Sequence, residues 1–175
     1  MRKLVLSSIL AAPLALPAVA CAQVYAGLAV GAGGAKVPAG SYAAGVRGML
    51  RLYAGYEFSP HVGIEAMTFD LGSPGDKPDG SKSTIGAFGV AAVGTLPLER
   101  WRFTGRVGVM FMDGRADIAE TKHTTQSMLA IGAGYDVIPK LTIGLEIGVS
   151  RVEFGSPLNE TAGVSWIGLA GTYRF

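Results

Sequence analysis

From residue 24 onward the chain alternates, in short runs, between apolar or aromatic residues and small or polar ones. Over 101–112, Trp101, Phe103, Val107, Val109 and Phe111 stand against Arg102, Thr104, Arg106 and Gly108. Over 141–150, Leu141, Ile143, Leu145, Ile147 and Val149 oppose Thr142, Gly144, Glu146, Gly148 and Ser150. A period of two belongs to a β-strand with one face against an apolar medium. The same pattern predicts a first strand over 24–33, with Val24, Ala26, Leu28 and Val30 on one face. A second over 46–58 sets Leu50, Leu52, Ala54, Tyr56 and Phe58 against Arg47, Arg51, Tyr53 and Glu57. A third over 62–71 puts Val62, Ile64 and Ala66 outward and Glu65 inward. The fourth, over 83–96, has small residues at nearly every second place and an ambiguous register; the sixth covers 125–137. The last, over 163–175, alternates Ile167, Leu169, Gly171, Tyr173 and Phe175 with Gly168, Ala170, Thr172 and Arg174.

The connections separate into two kinds. Residues 59–61, 96–100 and 138–140 read as short turns, each carrying a proline. Residues 72–82 and 113–123 read as charged surface loops, and 155–161 leads into the last strand. Eight strands, three short turns and four longer loops match a transmembrane layout with turns at one end and loops at the other. A strand lives in lipid only inside a closed barrel, because each backbone N–H and C=O there needs a partner. The predicted fold is therefore all-β: an eight-stranded antiparallel up-and-down transmembrane β-barrel. A soluble sandwich would share the alternation of the last strand. A soluble lipocalin-like barrel would put its apolar residues inside, whereas here the inward face carries the charges. Tyr56, Phe58, Trp101, Phe103, Tyr135, Tyr173 and Phe175 all fall near the turn end, where an aromatic girdle belongs.

Composition narrows the picture further. The chain has 175 residues, 49% of them hydrophobic, yet after the N-terminus it contains no apolar run approaching the ~18 residues of a membrane helix. Its 26 glycines suit curved, closely packed strands. Residues 1–22 read as a signal peptide, with Arg2 and Lys3 at its charged start, an apolar core over 4–16 and Ala20-Cys21-Ala22 as the cleavage site. That leaves 23–175 as the barrel domain. Cleavage removes two of the 15 basic residues and none of the 13 acidic ones, so the mature chain is neutral and nucleic acid is not an expected partner. The only cysteine, Cys21, leaves with the leader. A lipoprotein site at Ala18-Val19-Ala20-Cys21 is the rival reading, and it lacks the usual Leu three places before the cysteine.

The residues available for chemistry are few. The inward charges are Arg47, Arg51, Arg102, Arg106 and Arg174 against Glu57, Glu65, Asp136 and Glu146. In a narrow interior they must pair or stay wet, since an isolated buried ion costs several kcal/mol. Extending each hairpin from its turn puts Glu146 opposite Gly132, Arg106 opposite Ala91 and Glu65 opposite Gly55, so that each long side chain has a small neighbour. Arg106 and Glu146, at similar depth and one strand apart, are expected to meet. For a hydrolase, His123 with Ser127 and Glu120 is the best available set, and its spacing matches no barrel-hydrolase pattern. His61 and His123 fall at opposite ends, which disfavours a metal centre. No catalytic, metal or cofactor site is expected. Apolar transport is disfavoured by the charged lumen, and an adhesin would act through the longer loops.

Residues 163–175, GVSWIGLAGTYRF, resemble the signal by which bacterial outer-membrane barrels are handed to the assembly machinery, with Tyr173 and Phe175 at the diagnostic places. Residues 55–72, GYEFSPHVGIEAMTFDLG, resemble the second hairpin of OmpA-like transmembrane barrels, a pattern shared with OmpX-type relatives. The resemblance implies a cell outer-membrane location, lipid and lipopolysaccharide as surroundings, and the barrel assembly machinery as a partner. It also implies an interior ion-pair network, here Arg51, Glu65, Arg106 and Glu146, that blocks or gates a channel at most weakly permeable to ions. The implied role is structural or surface-interacting, with a ligand taken through the loops. A lipid A-modifying enzyme or an adhesin is the alternative. The peptidoglycan-binding domain of some relatives is not expected, because the chain ends with the barrel.

Overall fold

A computed structural model describes residues 23–36, 46–71, 83–116, 119–153 and 161–175. The leader with Cys21, the expected loop over 72–82 and most of 155–161 lie outside the described residues. Every described element is a strand: β1 Gln23–Lys36, β2 Arg47–Ser59, β3 Val62–Leu71, β4 Ser83–Leu98, β5 Trp101–Ala116, β6 Ala119–Ile138, β7 Leu141–Glu153 and β8 Thr161–Arg174. Each pairs antiparallel with its neighbour in sequence, and β1 also pairs with β8 from Tyr25↔Arg174 to Lys36↔Gly163, closing the barrel. Closure leaves no open sheet edge in the lipid zone, which meets the backbone constraint that the alternation had raised.

Side chains follow the period of two through the body of each strand and break it beside the turns, where a bulge between Asp136 and Ile138 leaves Val137 and Ile138 both exposed. Leu28, Leu52, Ile64, Val107, Leu145 and Ile167 all face outward, each about half exposed, while Arg51, Glu65, Met110 and Met112 are almost completely enclosed. In β4 the register resolves as Phe88, Val90, Ala92, Gly94 and Leu96 outward, with Gly89, Ala91, Val93 and Thr95 inward. The seven girdle aromatics are exposed at the turn end. Three pairs of them meet edge to face, Tyr56–Phe58, Trp101–Tyr135 and Tyr173–Phe175, with ring centroids 5.2–5.3 Å apart.

Two connections differ from expectation. The second turn is not 96–100: β4 keeps pairing through Pro97↔Arg102 and Leu98↔Trp101, and only Glu99 and Arg100 turn. A two-residue hairpin loop needs positive φ to match strand twist, and Glu99 supplies it at 55°. The longer strand shifts the register by two residues, so Arg106 stands opposite Val93, and Ala91 stands opposite Gly108. Glu146↔Gly132 and Glu65↔Gly55 are paired as expected. The charged loop over 113–123 is instead mostly ladder, with Met112↔Thr124, Asp113↔His123, Gly114↔Lys122 and, past a bulge, Ala116↔Ala119. Charge alone does not end a strand outside the bilayer, and the β-branched Thr121, Thr124 and Thr125 favour the extended backbone.

This facing makes a direct stability prediction. Arg on the lipid side near mid-membrane costs about 2–4 kcal/mol. Val109→Arg and Leu145→Arg should therefore lower the urea midpoint of refolded barrel well below that of Thr104→Ser or Ser150→Thr, at unchanged slope. Equal midpoints for the two sets would show that the faces are interchanged.

Candidate functional site

The lumen is built in two levels. Counting from the turn end, the inward positions of most strands begin polar and become apolar. The first charged tier, beside the turns, joins β2, β5, β6 and β8. Arg102 Nε donates to Asp136 Oδ1 and Oδ2 at 3.1 and 2.9 Å. Arg174 lies 3.7 Å from Asp136 and 3.6 Å from Glu57. The Thr142 hydroxyl donates to Asp136 and accepts from Arg174 Nη1 at 2.7 Å.

One layer deeper, Arg51 from β2, Glu65 from β3, Arg106 from β5 and Glu146 from β7 converge, although 95 residues separate the first from the last. Glu65 is the hub. Its carboxylate accepts from Arg51 Nη1 at 3.2 Å, from Arg106 Nε at 3.2 and 3.3 Å, and from the Tyr25 hydroxyl at 3.2 Å. Arg51 Nη2 bonds Glu146 Oε2, while Arg106 Nη1 reaches that same oxygen only at 3.7 Å. The expected meeting of Arg106 and Glu146 is thus the longest contact of the four. Tyr53 lies under both guanidiniums, 4.5 Å from Arg51 and 5.7 Å from Arg106, an arrangement in which the ring face attracts the cations.

Tyr25 had not been singled out in the sequence, and its place depends on glycine. A Cβ on Gly55 would collide with the Tyr25 ring, and one on Gly27 with the Tyr53 ring. The pairs Tyr25↔Gly55 and Gly27↔Tyr53 were visible once β1 and β2 were set in register.

Above this tier the lumen turns mostly apolar; of the expected inward charges Arg47 stands here, at the loop end of β2 and 7% exposed. Met49, Met67, Phe69, Leu71, Met110, Met112, Met128, Val164 and Trp166 fill it, none more than 4% exposed. All five methionines after Met1 lie here. Their inward positions hide among the outward apolar residues of the same strands, so hydrophobicity alone did not reveal them. Unbranched thioether chains fill irregular gaps well.

Below the deep tier, by contrast, a cavity of about 50 Å³ is lined by Thr95, Thr104, Thr172, Arg106 and Glu146, among others.

Among the described residues, no acid–base or metal constellation accompanies these charges. His61 sits in the first turn with Nδ1 3.1 Å from Thr95 O, and Ser127 faces outward on β6. The side chains of Glu120 and His123 lie outside the described ones. Among the described residues no group of three potential metal ligands occurs. Tyr173 and Phe175 face outward, and the end of the chain is tied down by Phe175 N donating to Val24 O and Gln23 Nε2 donating to Phe175 O, both at 3.0 Å.

A closed eight-stranded barrel with an apolar exterior, an aromatic girdle and a charged, filled bore is an integral protein of the bacterial outer membrane. The chain belongs to the outer membrane protein beta-barrel domain family, whose model matches residues 4–175. No curated protein matches it. Among solved structures it is similar to Neisserial surface protein A, at 10% identity and TM-score 0.76, covering 89% of this chain and all of that one. It is also similar to Ail, the attachment invasion locus protein of Yersinia pestis, at 12% identity and TM-score 0.58, with the same coverage. The outer membrane protein OprG from Pseudomonas aeruginosa matches at 12% identity and TM-score 0.53, over 89% of this chain and 96% of that one. At these identities the likeness concerns the fold. The chain is a small outer-membrane barrel located in the cell outer membrane.

Proposed function

We propose that this barrel serves a structural or surface-interaction role and is neither a solute pore nor an enzyme. The observation that supports it is the filled bore. Two tiers of ion pairs and an apolar layer occupy the lumen, as suits eight strands, whose interior is just wide enough for side chains. What the barrel can offer a partner is then its loop end, where the β5–β6 ladder continues to Ala116 and Ala119. Outer-membrane lipid and lipopolysaccharide are its proposed surroundings, and the barrel assembly machinery its proposed partner during insertion.

The test has two readings on the same protein. Vesicles carrying the refolded barrel should swell in small neutral sugars no faster than empty vesicles, and swelling would restore the pore reading. Lipid A from cells with and without the protein should have identical masses. A gained or lost acyl chain would establish the enzyme alternative.

A further inference from the structure

We infer that the lumen is a half-channel: a hydrated blind pocket open to the turn end, sealed from the loop end by the methionine and aromatic layer, which forms the barrier to permeation in place of the ion pairs. The inference rests on the closed lumen proposed above and locates its seal.

Three observations carry it. Exposure falls along the bore, from 18% and 13% for the side chains of Arg102 and Asp136 to 0% for those of Arg51 and Glu65. Water therefore reaches the first tier and stops at the second.

The cavity between the tiers is polar and asks for water. Glu146 Oε1, fully buried and on its wall, has no hydrogen-bond partner among the described residues. Arg174 Nε, also on its wall, has a carboxylate oxygen no nearer than 3.6 Å and no hydrogen bond. One orphan acceptor and one orphan donor, with threonine hydroxyls around them, supply the two to four partners that a buried water needs, and about 50 Å³ holds more than one water. A lone cation would satisfy the carboxylate and leave the guanidinium orphaned, so water is the occupant that fits both.

The layer above offers nothing comparable. Among the described residues, its buried polar side chains are Trp166, whose Nε1 is an orphan donor, and, toward the loop end, Arg47 and Ser150; none supplies an orphan acceptor to complete a water site. An ion crossing this layer would lose its hydration among side chains that are almost all apolar.

The experiment places single cysteines in a Cys21→Ser background and treats the refolded, vesicle-inserted barrel with silver ion, a probe close to the size of water. Thr172→Cys, on the cavity wall, should react readily. Val164→Cys, buried in the apolar layer, should react about a hundredfold or more slowly, because reaction there waits on opening of packed core. Equal rates at the two positions, whether fast or slow, overturn the inference. Conductance gives an independent reading: Met67→Ser with Met110→Ser should admit ions where Glu146→Gln does not. Any other ranking overturns it. Sugar permeation through the parent barrel would instead defeat the proposed function, whereas a closed parent opened by Glu146→Gln would defeat only this assignment.

Discussion

Glu65→Ala should cost the refolded barrel about 3–5 kcal/mol, the range typical of removing one partner of a buried ion pair. Glu65 accepts from Tyr25, Arg51 and Arg106, and the side chains of Glu65 and Arg51 are fully buried. Without it the two guanidiniums share Glu146 alone, leaving one excess positive charge beside the fully buried Arg51 side chain. The loss should shrink when Arg51→Met accompanies it, because the remaining Arg106 then balances Glu146. Glu146→Gln should be the milder single change, since each arginine keeps Glu65. Its rescue should come from Arg51→Met more than from Arg106→Met, because Arg51 makes the closer contact with Glu146. Urea unfolding of the single and double variants reads the coupling directly. Strict additivity would mean that the four charges do not act as one unit.

Deleting Phe175 should abolish outer-membrane accumulation in cells while leaving a barrel that still refolds from urea. The deletion removes the Phe175 N–H bond to Val24 and the Gln23 bond to Phe175 O, each worth about 1 kcal/mol net, and strips Tyr173 of its edge-to-face partner. Those losses are too small to unfold eight strands. A collapse of cellular level with near-parental refolding would assign Phe175 to recognition by the assembly machinery. Near-normal levels in the outer membrane, with Arg174→Lys as the mild comparison, would reduce Tyr173 and Phe175 to ordinary girdle residues.

The number of strands, their facing and their order were legible because a period of two is imposed by the pleat and fixed by lipid on one side. Register was less so. Pro97 suggested a turn, yet a strand end tolerates a residue that cannot donate to the ladder, and two extra residues of β4 moved the partner of Arg106 from Ala91 to Val93. The four deep charges could be named from their inward parity. Their contacts could not, because a side chain as long as arginine chooses among carboxylates across the whole bore. The apolar upper lumen was missed for a different reason. A methionine at an inward place and a leucine at an outward one look alike to an alternation rule that scores only greasiness, and Met67 next to Ala66, or Met110 next to Val109, simply blurs the pattern.

The two tyrosines seated over glycines bear on how the chain chooses its first hairpin. A slip of β1 along β2 by one residue would turn lumen residues to lipid and is rejected by the bilayer itself. A slip by two is not, since every side chain keeps its face. Such a slip would set Tyr25 opposite Tyr53 or Glu57 in place of Gly55, and two bulky groups would claim one hollow. The rings and hollows thus work as a pair of keys, each cut to the other strand. They let a sequence rich in alanine and glycine, with little else to distinguish one even offset from the next, settle into a single alignment before six further strands are added to it.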